Sequence, residues 1–435
     1  MKELLHRILQ YRHVYGTKAL IRVILRKLKT TLTRGRFAFS ERQPELNSGG
    51  SATHLTASRF AACTPLRVYS APSDTLSRVS VVTDSINDGS LYGGVGTAII
   101  MGALVAEAKQ ARVRFITRTE RAQPRNLEHI LSTYGINLLH EVEFEFAPFN
   151  EHKYEVGVLN DELFITTSWW TTAATMGSVR HDAIVYLLQE DERMFYPYGD
   201  DRLRCEQLLR SHTIRFVINT RLLLDHFIGE GLTNVAERGI WFEPAFPKKI
   251  FYPHNRSNSQ KHILIFYARP NNLRNLFYFG IELLELAVKR GIIDLTKWDI
   301  MLLGSHIPDV TFGNNYVPEK RENLSWGEYA ELLGKVDLGL CLMYTPHPSY
   351  PPLDLAASGA VAVTNRFENK QDLRNYSPNI ICGDLDLESM SAVLQKGIAL
   401  STNLAERTEN YRSTTLGSNW RLAFSEVIEH FSKPQ

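Results

Sequence analysis

Cysteine is scarce in this sequence, and the spacing of the cysteines argues against a fold stabilised by zinc or by disulfide bonds. None of the four cysteines forms a Cys-x-x-Cys pair of the zinc or redox type, so neither a structural zinc site nor a disulfide framework is expected. A chain of 435 residues can instead bury two ordinary hydrophobic cores, and we expect two domains. The cysteines are Cys63, Cys205, Cys341 and Cys382.

Long apolar runs are also missing from the sequence. No run reaches the roughly 18 residues that a membrane-spanning helix needs. Arg7, Arg12 and Lys18 interrupt the apolar stretch that a signal peptide would require, so we expect a cytoplasmic protein. A net charge of +2 says little about partners, and we predict no nucleic-acid partner.

Positive charge is concentrated at the N-terminus. Residues 1–43 hold eleven lysines or arginines and only two acidic residues, Glu3 and Glu41. Within residues 1–36, basic and apolar positions alternate at roughly helical spacing, which is typical of a helix that lies peripherally on the inner face of the plasma membrane. The alternative is a solvated helix that packs on its own protein. Residues 37–77 show little periodicity and are interpreted as an irregular lead-in.

From residue 78 onward, short β-branched runs alternate with helical segments. The predicted strands include Val79–Thr83, Val113–Thr117, His262–Ala268 and Val361–Thr364. This pattern predicts an α/β fold with parallel sheets covered on both faces, and it restarts after a polar linker at residues 253–261. We therefore predict two Rossmann-like, doubly wound domains, residues 78–260 and 261–415. Residues 416–435 carry an amphipathic pattern that predicts a helix, packed either on the second domain or back across the cleft on the first. The pattern does not fix the oligomeric state, and a homodimer is left open.

Candidate ligand-binding residues follow the first predicted strand of each domain, where sheets of this kind bind ligands. Gly93, Gly94 and Gly96 let backbone approach a ligand closely beside a helix N-terminus, although a tight turn is the alternative. In the second domain, Arg269 has the charge and fork geometry for a diphosphate, and Asn275 lies in the same turn. Asn272 can cap a helix predicted over Leu273–Arg290. The alternative for Arg269 is a structural salt bridge.

A proline-rich segment at residues 346–354 follows a predicted strand that ends at Tyr344, which is itself a candidate donor-binding residue. Ser349 is placed to cap a short helix whose first turn tolerates the prolines after Tyr350. Asp354 lies inside that helix, where its carboxylate can accept hydrogen bonds from sugar hydroxyls. The alternative is a capped helix with a purely structural role.

Two acids and two tryptophans mark strand ends in the first domain. Glu190 and Asp191 follow a strand that ends near Leu188, where a carboxylate can orient an acceptor hydroxyl or take its proton. The alternative is a solvated acidic loop. Trp169 and Trp170 can stack on a sugar face on the acceptor side, or they can be buried in the core.

No metal site and no redox cofactor are predicted. Asp384 and Asp386 form an Asp-x-Asp string, but the string follows the last predicted strand, and Gly383 before it indicates a turn. The candidate residues do not otherwise include a cluster with metal-ligand spacing.

The second half of the sequence resembles family 4 glycosyltransferases, whose signature has two glutamates eight positions apart around a short helix. Asp354 stands at the second of these positions, and Pro346 stands at the first, so the signature is incomplete. The chain also resembles the rhamnosyltransferases of S-layer glycan and rhamnan synthesis, the WsaF-like family. The segments that carry this second resemblance are Tyr92–Gly96, Trp169–Trp170, Tyr186–Pro197, Phe266–Asn275, Val317–Glu331 and His347–Asn365.

This resemblance implies a GT-B fold, with two Rossmann-like domains facing a cleft, and a dTDP-β-L-rhamnose donor. It implies that Arg269 binds the diphosphate, that Ser349 and Tyr350 line the donor pocket, and that Asp354 holds the deoxyribose hydroxyl. Either Glu190 or Asp191 would serve as the functional acid. The family has a lysine where this chain has Asn323, and Lys320 or Arg321 is the candidate to replace it in donor binding.

The sequence therefore predicts a metal-independent, retaining transfer of a deoxyhexose, with L-rhamnose as the leading candidate, onto a saccharide or lipid-linked glycan acceptor in cell-surface polysaccharide synthesis. One alternative is a GT-B enzyme that uses another nucleotide sugar, including an epimerase. The other is a non-catalytic subunit of a glycan-assembly system, which the proline at position 346 favours.

Overall fold

The structure is a computed structural model that describes residues 51–72, 76–87, 94–149, 153–254 and 261–433. The predicted basic helix at residues 1–36, the core of the linker at 255–260, and Gly93 lie outside the described residues. The chain divides into two compact units, Met1–Arg59 and Phe60–Gln435, and both large sheets belong to the second unit. No helix among the described residues has the length and apolarity to span a bilayer.

The first half of the described chain builds a seven-stranded, wholly parallel sheet in the order β4-β3-β2-β6-β7-β8-β9, while β1 and β5 pair separately. The central strands β2, β3, β6, β7 and β8 are almost wholly buried, as expected for a sheet covered on both faces, whereas β4 and β9 at its edges are less so. The strands of this half are β1 (Val68–Ser70), β2 (Arg78–Thr83), β3 (Arg112–Thr117), β4 (Glu143–Phe146), β5 (Val156–Val158), β6 (Leu163–Thr166), β7 (Ile184–Leu188), β8 (Arg215–Asn219) and β9 (Gly239–Phe242).

The second half builds a six-stranded parallel sheet in the order β12-β11-β10-β13-β14-β15. The two sheets confirm the predicted α/β class. The strands of the second sheet are β10 (His262–Ala268), β11 (Trp298–Gly304), β12 (Glu319–Glu322), β13 (Leu338–Leu340), β14 (Val361–Asn365) and β15 (Ile380–Gly383).

From residue 94 onward, helices connect the parallel strands and cover the sheets, and one further helix, Ala52–Arg59, precedes them in the chain. Their bounds are α1 (Ala52–Arg59), α2 (Gly94–Ala108), α3 (Pro124–Tyr134), α4 (Trp169–Met176), α5 (Asp200–Leu209), α6 (Arg221–Gly229), α7 (Thr233–Glu237), α8 (Phe277–Lys289), α9 (Trp326–Leu333), α10 (Tyr350–Ala357), α11 (Leu387–Thr402), α12 (Leu404–Arg412), α13 (Trp420–Ala423) and α14 (Ser425–Ser432). Two of them begin with capping boxes, in which side chain and backbone of the cap and of the third residue bond reciprocally: Ser168 with Thr171 for α4, and Ser325 with Glu328 for α9.

Each sheet carries a helix that follows its first strand at very close range, and glycine makes this approach possible. A Cβ atom on Gly102 of α2 would lie 2.5 Å from Val81 Cγ2, and one on Gly280 of α8 would lie 2.2 Å from the Phe266 ring. Any larger residue at these positions would push its helix off the sheet, so the two glycines fix where each helix starts relative to the strand ends.

The C-terminal helices α13 and α14 pack on the core beside the first sheet. Trp420, Phe424, Val427 and Phe431 are buried there, and the Phe424 ring lies 4.5 Å from that of Phe242. Of the two placements that the sequence left open for this segment, the structure has the one on the first sheet. The chain therefore crosses from the second sheet back to the first at its end.

Three local expectations differ from the structure. Part of the segment interpreted as an irregular lead-in is regular, because β1 pairs with β5 and helix α1 precedes it. The helix expected to start after Asn272 instead begins at Phe277, after a turn of 3₁₀ helix, since Leu276 adopts a left-handed conformation (φ 50°). Ser349 does occupy the cap position of α10, but its side chain makes no capping hydrogen bond.

Candidate functional site

The carboxyl ends of the two sheets meet through side chains from both halves of the second unit. The Thr345 hydroxyl, in the loop after β13, donates to the Glu190 carboxylate after β7. The Tyr350 hydroxyl at the start of α10 lies 2.7 Å from Thr97 Oγ1 on α2 and accepts a hydrogen bond from Asn219 Nδ2 at 3.0 Å. Glu190 and Tyr350, two predicted site residues that are 160 positions apart in sequence, therefore both contact the opposite half of the unit.

Glu190 faces the second sheet. Besides Thr345, it contacts Arg274, whose Nη1 lies 3.4 Å from Glu190 Oε2. The Arg274 guanidinium also stacks on the Phe195 ring, with its central carbon 4.2 Å from the ring centre. The Glu190 side chain keeps 17% of its surface exposed, so its carboxylate lies at the edge of the cleft.

Asp191, the neighbouring acid, is buried within the first sheet's own half. Its two oxygens bind Arg193, with Nη2 at 2.6 Å from Oδ2, and His226 Nε2 lies 2.9 Å from the same oxygen. Burial by itself would raise the pKa of this carboxyl, but the hydrogen bonds from His226 and Arg193 outweigh it and lower the pKa to about 2. Asp191 is thus a permanently charged, fully partnered group.

Asp354 has the opposite electrostatic state. It is buried in α10, and burial raises its pKa to about 7 despite a hydrogen bond that Tyr329 donates to Oδ2 at 3.0 Å. Ser349 at the start of the same helix is also buried, has a strained backbone (φ 69°) and leaves its hydroxyl without a hydrogen-bond partner in the described structure. The short helix therefore presents a protonatable acid and an unsatisfied hydroxyl.

The other predicted donor-side residues differ in how exposed they are and in what they contact. Arg269, directly after β10, is exposed, and its Nη1 lies 3.5 Å from the Tyr267 hydroxyl, which is a long contact; the described residues supply it with no carboxylate. Asn275 is buried and donates to Leu342 O at 3.4 Å. Tyr344 is half exposed and packs on Phe367.

Lys320 stands apart from this group. It lies in the edge strand β12, and its ammonium forms an ion pair with Asp309 at 2.5 Å and donates to Ile307 O. None of these contacts joins it to another predicted site residue. These contacts therefore do not place Lys320 with the other donor-side residues, where the family's lysine would be expected to act.

The glycines at the start of α2 lie against the first sheet's strand ends. Gln189 Nε2 donates to the Gly94 carbonyl, and a Cβ atom on Gly94 would come within 3.1 Å of that nitrogen. Gly96 is half-buried in the first turn of the helix. The helix start is thereby held next to Glu190, the residue after Gln189.

Both tryptophans have structural partners. Trp169 is buried, and its indole nitrogen donates to the Tyr196 hydroxyl at 3.0 Å. Trp170 donates to Asp84 Oδ2 at 2.9 Å and packs edge to face on Trp169. Burial leaves Trp169 without an open face for a sugar, and Trp170 is half-buried.

The sequence reasoning missed three buried polar residues at the same place, namely Thr345, His347 and Lys370. Lys370 is fully buried after β14, donates to Met343 O at 3.2 Å, and has its pKa lowered to about 8 by burial. The burial of His347 lowers its pKa to about 4. His347 stood inside the proline-rich segment, so a signal existed for it; no pattern in the sequence marked Lys370.

The Asp-x-Asp string has ordinary structural roles. Asp384 pairs with Arg366 at 3.1 Å, and Asp386 caps α11 by accepting from Ser389 N at 2.8 Å. Within the part of the chain that the structure describes, no group of three or more histidine, cysteine or acidic side chains is arranged to hold a metal ion.

Comparison with known families and proteins adds two kinds of finding. The model "WsaF, N-terminal domain" matches residues 78–221, and "WsaF, C-terminal domain" matches residues 262–395, so the two together match more than half of the chain. The O-antigen biosynthesis protein RfbC of Myxococcus xanthus is 27% identical over 256 residues, which are 57% of this chain but only 19% of that protein's length.

Solved structures resemble the whole two-sheet arrangement. Anabaena HepE, in complex with UDP and glucose, matches with a TM-score of 0.53 at 11% identity, over 82% of this chain and 99% of its own. WaaG, a glycosyltransferase involved in lipopolysaccharide biosynthesis, matches with a TM-score of 0.53 at 11% identity, over 82% of this chain and 100% of its own. At such identities the likeness concerns the fold, and it confirms the predicted GT-B architecture.

Proposed function

We propose a function from one premise: this chain belongs to the WsaF family, since both of that family's domain models match it. The proposed activity is the transfer of L-rhamnose from dTDP-β-L-rhamnose to a saccharide acceptor in the synthesis of a cell-surface polysaccharide. The observation that carries this proposal is that the two matches cover both sides of one cleft, so that the donor half and the acceptor half are both those of the family.

Two relatives support the general class of this reaction. RfbC is named as an O-antigen biosynthesis protein, and HepE was solved with UDP and glucose. A nucleotide-sugar donor and a glycan acceptor are therefore in keeping with what proteins of similar sequence or fold bind. Rhamnose as the sugar and thymidine as the nucleoside rest on the resemblance to the rhamnosyltransferases.

The charge of the departing diphosphate would be stabilised by Arg269 and by the N-termini of α2 and α10. Arg269 is suited to this role because it is an exposed cation at a strand end without a carboxylate partner among the described residues. The helix N-termini add partial positive charge, and with these groups in place the proposed reaction needs no metal ion. It proceeds with retention of configuration, as the resemblance implies.

Glu190 is the acid that the proposal assigns to the reaction. It is the one of the two adjacent acids that contacts the second sheet, through Thr345 and Arg274, whereas Asp191 is occupied by Arg193 and His226. Asp354 would accept a hydrogen bond from a hydroxyl of the donor's deoxyribose through Oδ1, since the Tyr329 hydroxyl already donates to Oδ2. Tyr350, fixed by Thr97 and Asn219, would form the wall of the donor pocket.

A calorimetric titration of the purified chain tests this proposal directly. The titrants are dTDP-L-rhamnose, UDP-glucose, GDP-mannose and UDP-GlcNAc, each against the wild type, Arg269→Ala and the control Arg374→Ala. Arg374 is an exposed arginine of the same half that pairs with Asp372, so its loss removes a charge without touching the cleft. We expect dTDP-L-rhamnose to bind most tightly, with affinity reduced at least tenfold by Arg269→Ala and unchanged by Arg374→Ala.

Other outcomes of this titration would support one of the alternative functions. A preference for another nucleotide sugar would keep the GT-B enzyme and discard rhamnose, and turnover of UDP-GlcNAc without an acceptor would indicate an epimerase. Binding of none of the four would favour a non-catalytic subunit, the alternative that Pro346 raises by standing where family 4 enzymes have their first glutamate.

A further inference from the structure

His347 is a fully buried histidine that no role assigned so far uses. It lies in the loop between β13 and α10, with 1% of its surface exposed and its ring centre 6.0 Å from that of Tyr350. Its backbone nitrogen donates to Thr345 Oγ1 at 3.3 Å, and Thr345 in turn bonds Glu190. The imidazole is therefore part of the cluster in which the ends of the two sheets meet.

The hydrogen bonding of the ring fixes its tautomer. The backbone nitrogen of Ser349 donates to His347 Nδ1 at 2.9 Å. A backbone N–H can only donate, so Nδ1 must be the acceptor, and the single proton of the neutral ring resides on Nε2. Burial lowers the pKa of the ring to about 4, which keeps it neutral at pH 7.

The Nε2–H group then has nothing to donate to. In the described structure it is a buried atom without a hydrogen-bond partner, although buried donors are nearly always paired. The Ser349 hydroxyl, two residues along, is buried and unpaired as well, and its backbone is strained. Two adjacent unsatisfied groups on one strained turn indicate a ligand that completes their bonding.

The neighbouring groups narrow the chemistry of that ligand. Two side chains of the first half have buried acceptors without a hydrogen-bond partner in the described structure, Gln189 Oε1 and Asn219 Oδ1. The charged groups that act on the ring are the Glu190 carboxylate, Lys370 and Arg274. A phosphate only accepts hydrogen bonds and is repelled by a carboxylate, whereas a sugar hydroxyl both donates and accepts. Both cations are already engaged, since Lys370 donates to a backbone carbonyl and Arg274 pairs with Glu190. The remaining donors and acceptors beside this carboxylate thus suit the hydroxyls of a sugar better than the diphosphate.

We propose that His347 donates a hydrogen bond from Nε2 to a hydroxyl of the transferred sugar and so acts as a specificity-determining residue on the donor side. This inference rests on the proposed function, because it requires a nucleotide-sugar donor in the cleft. The identity of the sugar is not essential to it, since any hexose or deoxyhexose offers hydroxyl oxygens.

The test compares the nucleotide sugar with the bare nucleotide in two variants. His347→Phe removes both ring nitrogens, whereas His347→Gln restores an N–H group near the position of Nε2 without restoring the Nδ1 acceptor. Calorimetry measures the affinity of each variant for dTDP-L-rhamnose and for dTDP, after thermal melting has verified folding. The control is His212→Gln, an exposed histidine remote from the described cluster's contacts.

We expect His347→Phe to weaken dTDP-L-rhamnose binding about tenfold and to leave dTDP binding within about twofold. His347→Gln should recover most of the loss, and His212→Gln should change neither affinity. If His347→Phe does not fold, His347→Gln decides the question. Its affinity for dTDP-L-rhamnose should then fall by less than tenfold, while its affinity for dTDP stays unchanged.

Equal weakening of dTDP and dTDP-L-rhamnose would overturn the inference, because His347 would then shape the loop or serve the phosphates. Unchanged binding of both would overturn it too, as would equal losses in the Phe and Gln variants. If the wild type prefers another nucleotide sugar, the proposed donor is wrong, and the comparison is repeated with that sugar and its nucleotide. If the wild type binds no nucleotide sugar, the proposed function and this inference fail together, and the variants are not needed to see it.

Discussion

The two sheets end in different ways at the place where they meet. In the first sheet, the conspicuous polar and aromatic side chains bond one another: Asp191 is held by Arg193 and His226, and Trp170 by Asp84. In the second sheet, Arg269 is exposed without an acidic partner among the described residues, and the buried His347 has an unpaired nitrogen. The partners of Asp191 and Trp170 hold the fold, whereas Arg269 and the His347 ring keep bonding capacity that a ligand can use.

Replacing Asp191, a fully partnered residue of the first half, should have the largest effect on stability. Asp191→Asn leaves the buried Arg193 guanidinium with no carboxylate nearer than that of Glu230, whose Oε2 lies 3.6 Å from Nη2, so we expect the free energy of unfolding to fall by about 3–5 kcal/mol in urea denaturation. The matched control is Asp182→Asn, whose partner Arg180 is exposed, and little change is expected there. A loss no larger than that of the control would mean that Asp191 is not structural.

Replacing the adjacent acid, Glu190, should lower the transfer rate and leave stability nearly unchanged. Glu190→Gln keeps the shape of the side chain and one acceptor for Thr345, so stability should change little, while the transfer rate at saturating donor should fall about 100-fold. The assay measures sugar transfer from the donor found by calorimetry, with Arg374→Ala as the folded control. A rate within threefold of the wild type would remove Glu190 from the reaction and end the distinction between the two acids.

The smallest effect concerns Asp354, and it depends on pH. The folded pKa of about 7 lies above the ordinary value of 3.8, so the folded state binds more protons than the unfolded state between roughly pH 4 and pH 7. The wild type therefore loses stability as the pH rises through this window. Asp354→Asn should remove that loss and gain on the order of 2 kcal/mol relative to the wild type between pH 5 and pH 8.

Asp372→Asn serves as the control for this pH dependence. The hydrogen bond from Arg374 lowers the pKa of Asp372, so its contribution is lost only below the pH range of the experiment and should give no slope between pH 5 and pH 8. Parallel pH profiles for the wild type and Asp354→Asn would show that Asp354 is charged in the folded protein throughout.

The fold was predictable because its signals are local. The strand β10 has the residues expected for it, and β2, β3 and β14 differ from the expected bounds by one residue. Runs of buried β-branched residues and the spacing of the helices between them depend on near neighbours alone. Short or polar strands such as β5 and β12 escaped prediction, because pairing with a neighbour rather than their own sequence makes them strands.

The fold class, the two-sheet organisation and the segments that end at the cleft could be predicted from sequence alone. Periodicity and turn preferences depend only on residues that are close together in the chain. The sequence could not separate Glu190 from Asp191, find Lys370, or show that Lys320 is engaged by Asp309. Those distinctions arise from partners far away in the chain, because burial and hydrogen bonding across the cleft decide which polar group is satisfied.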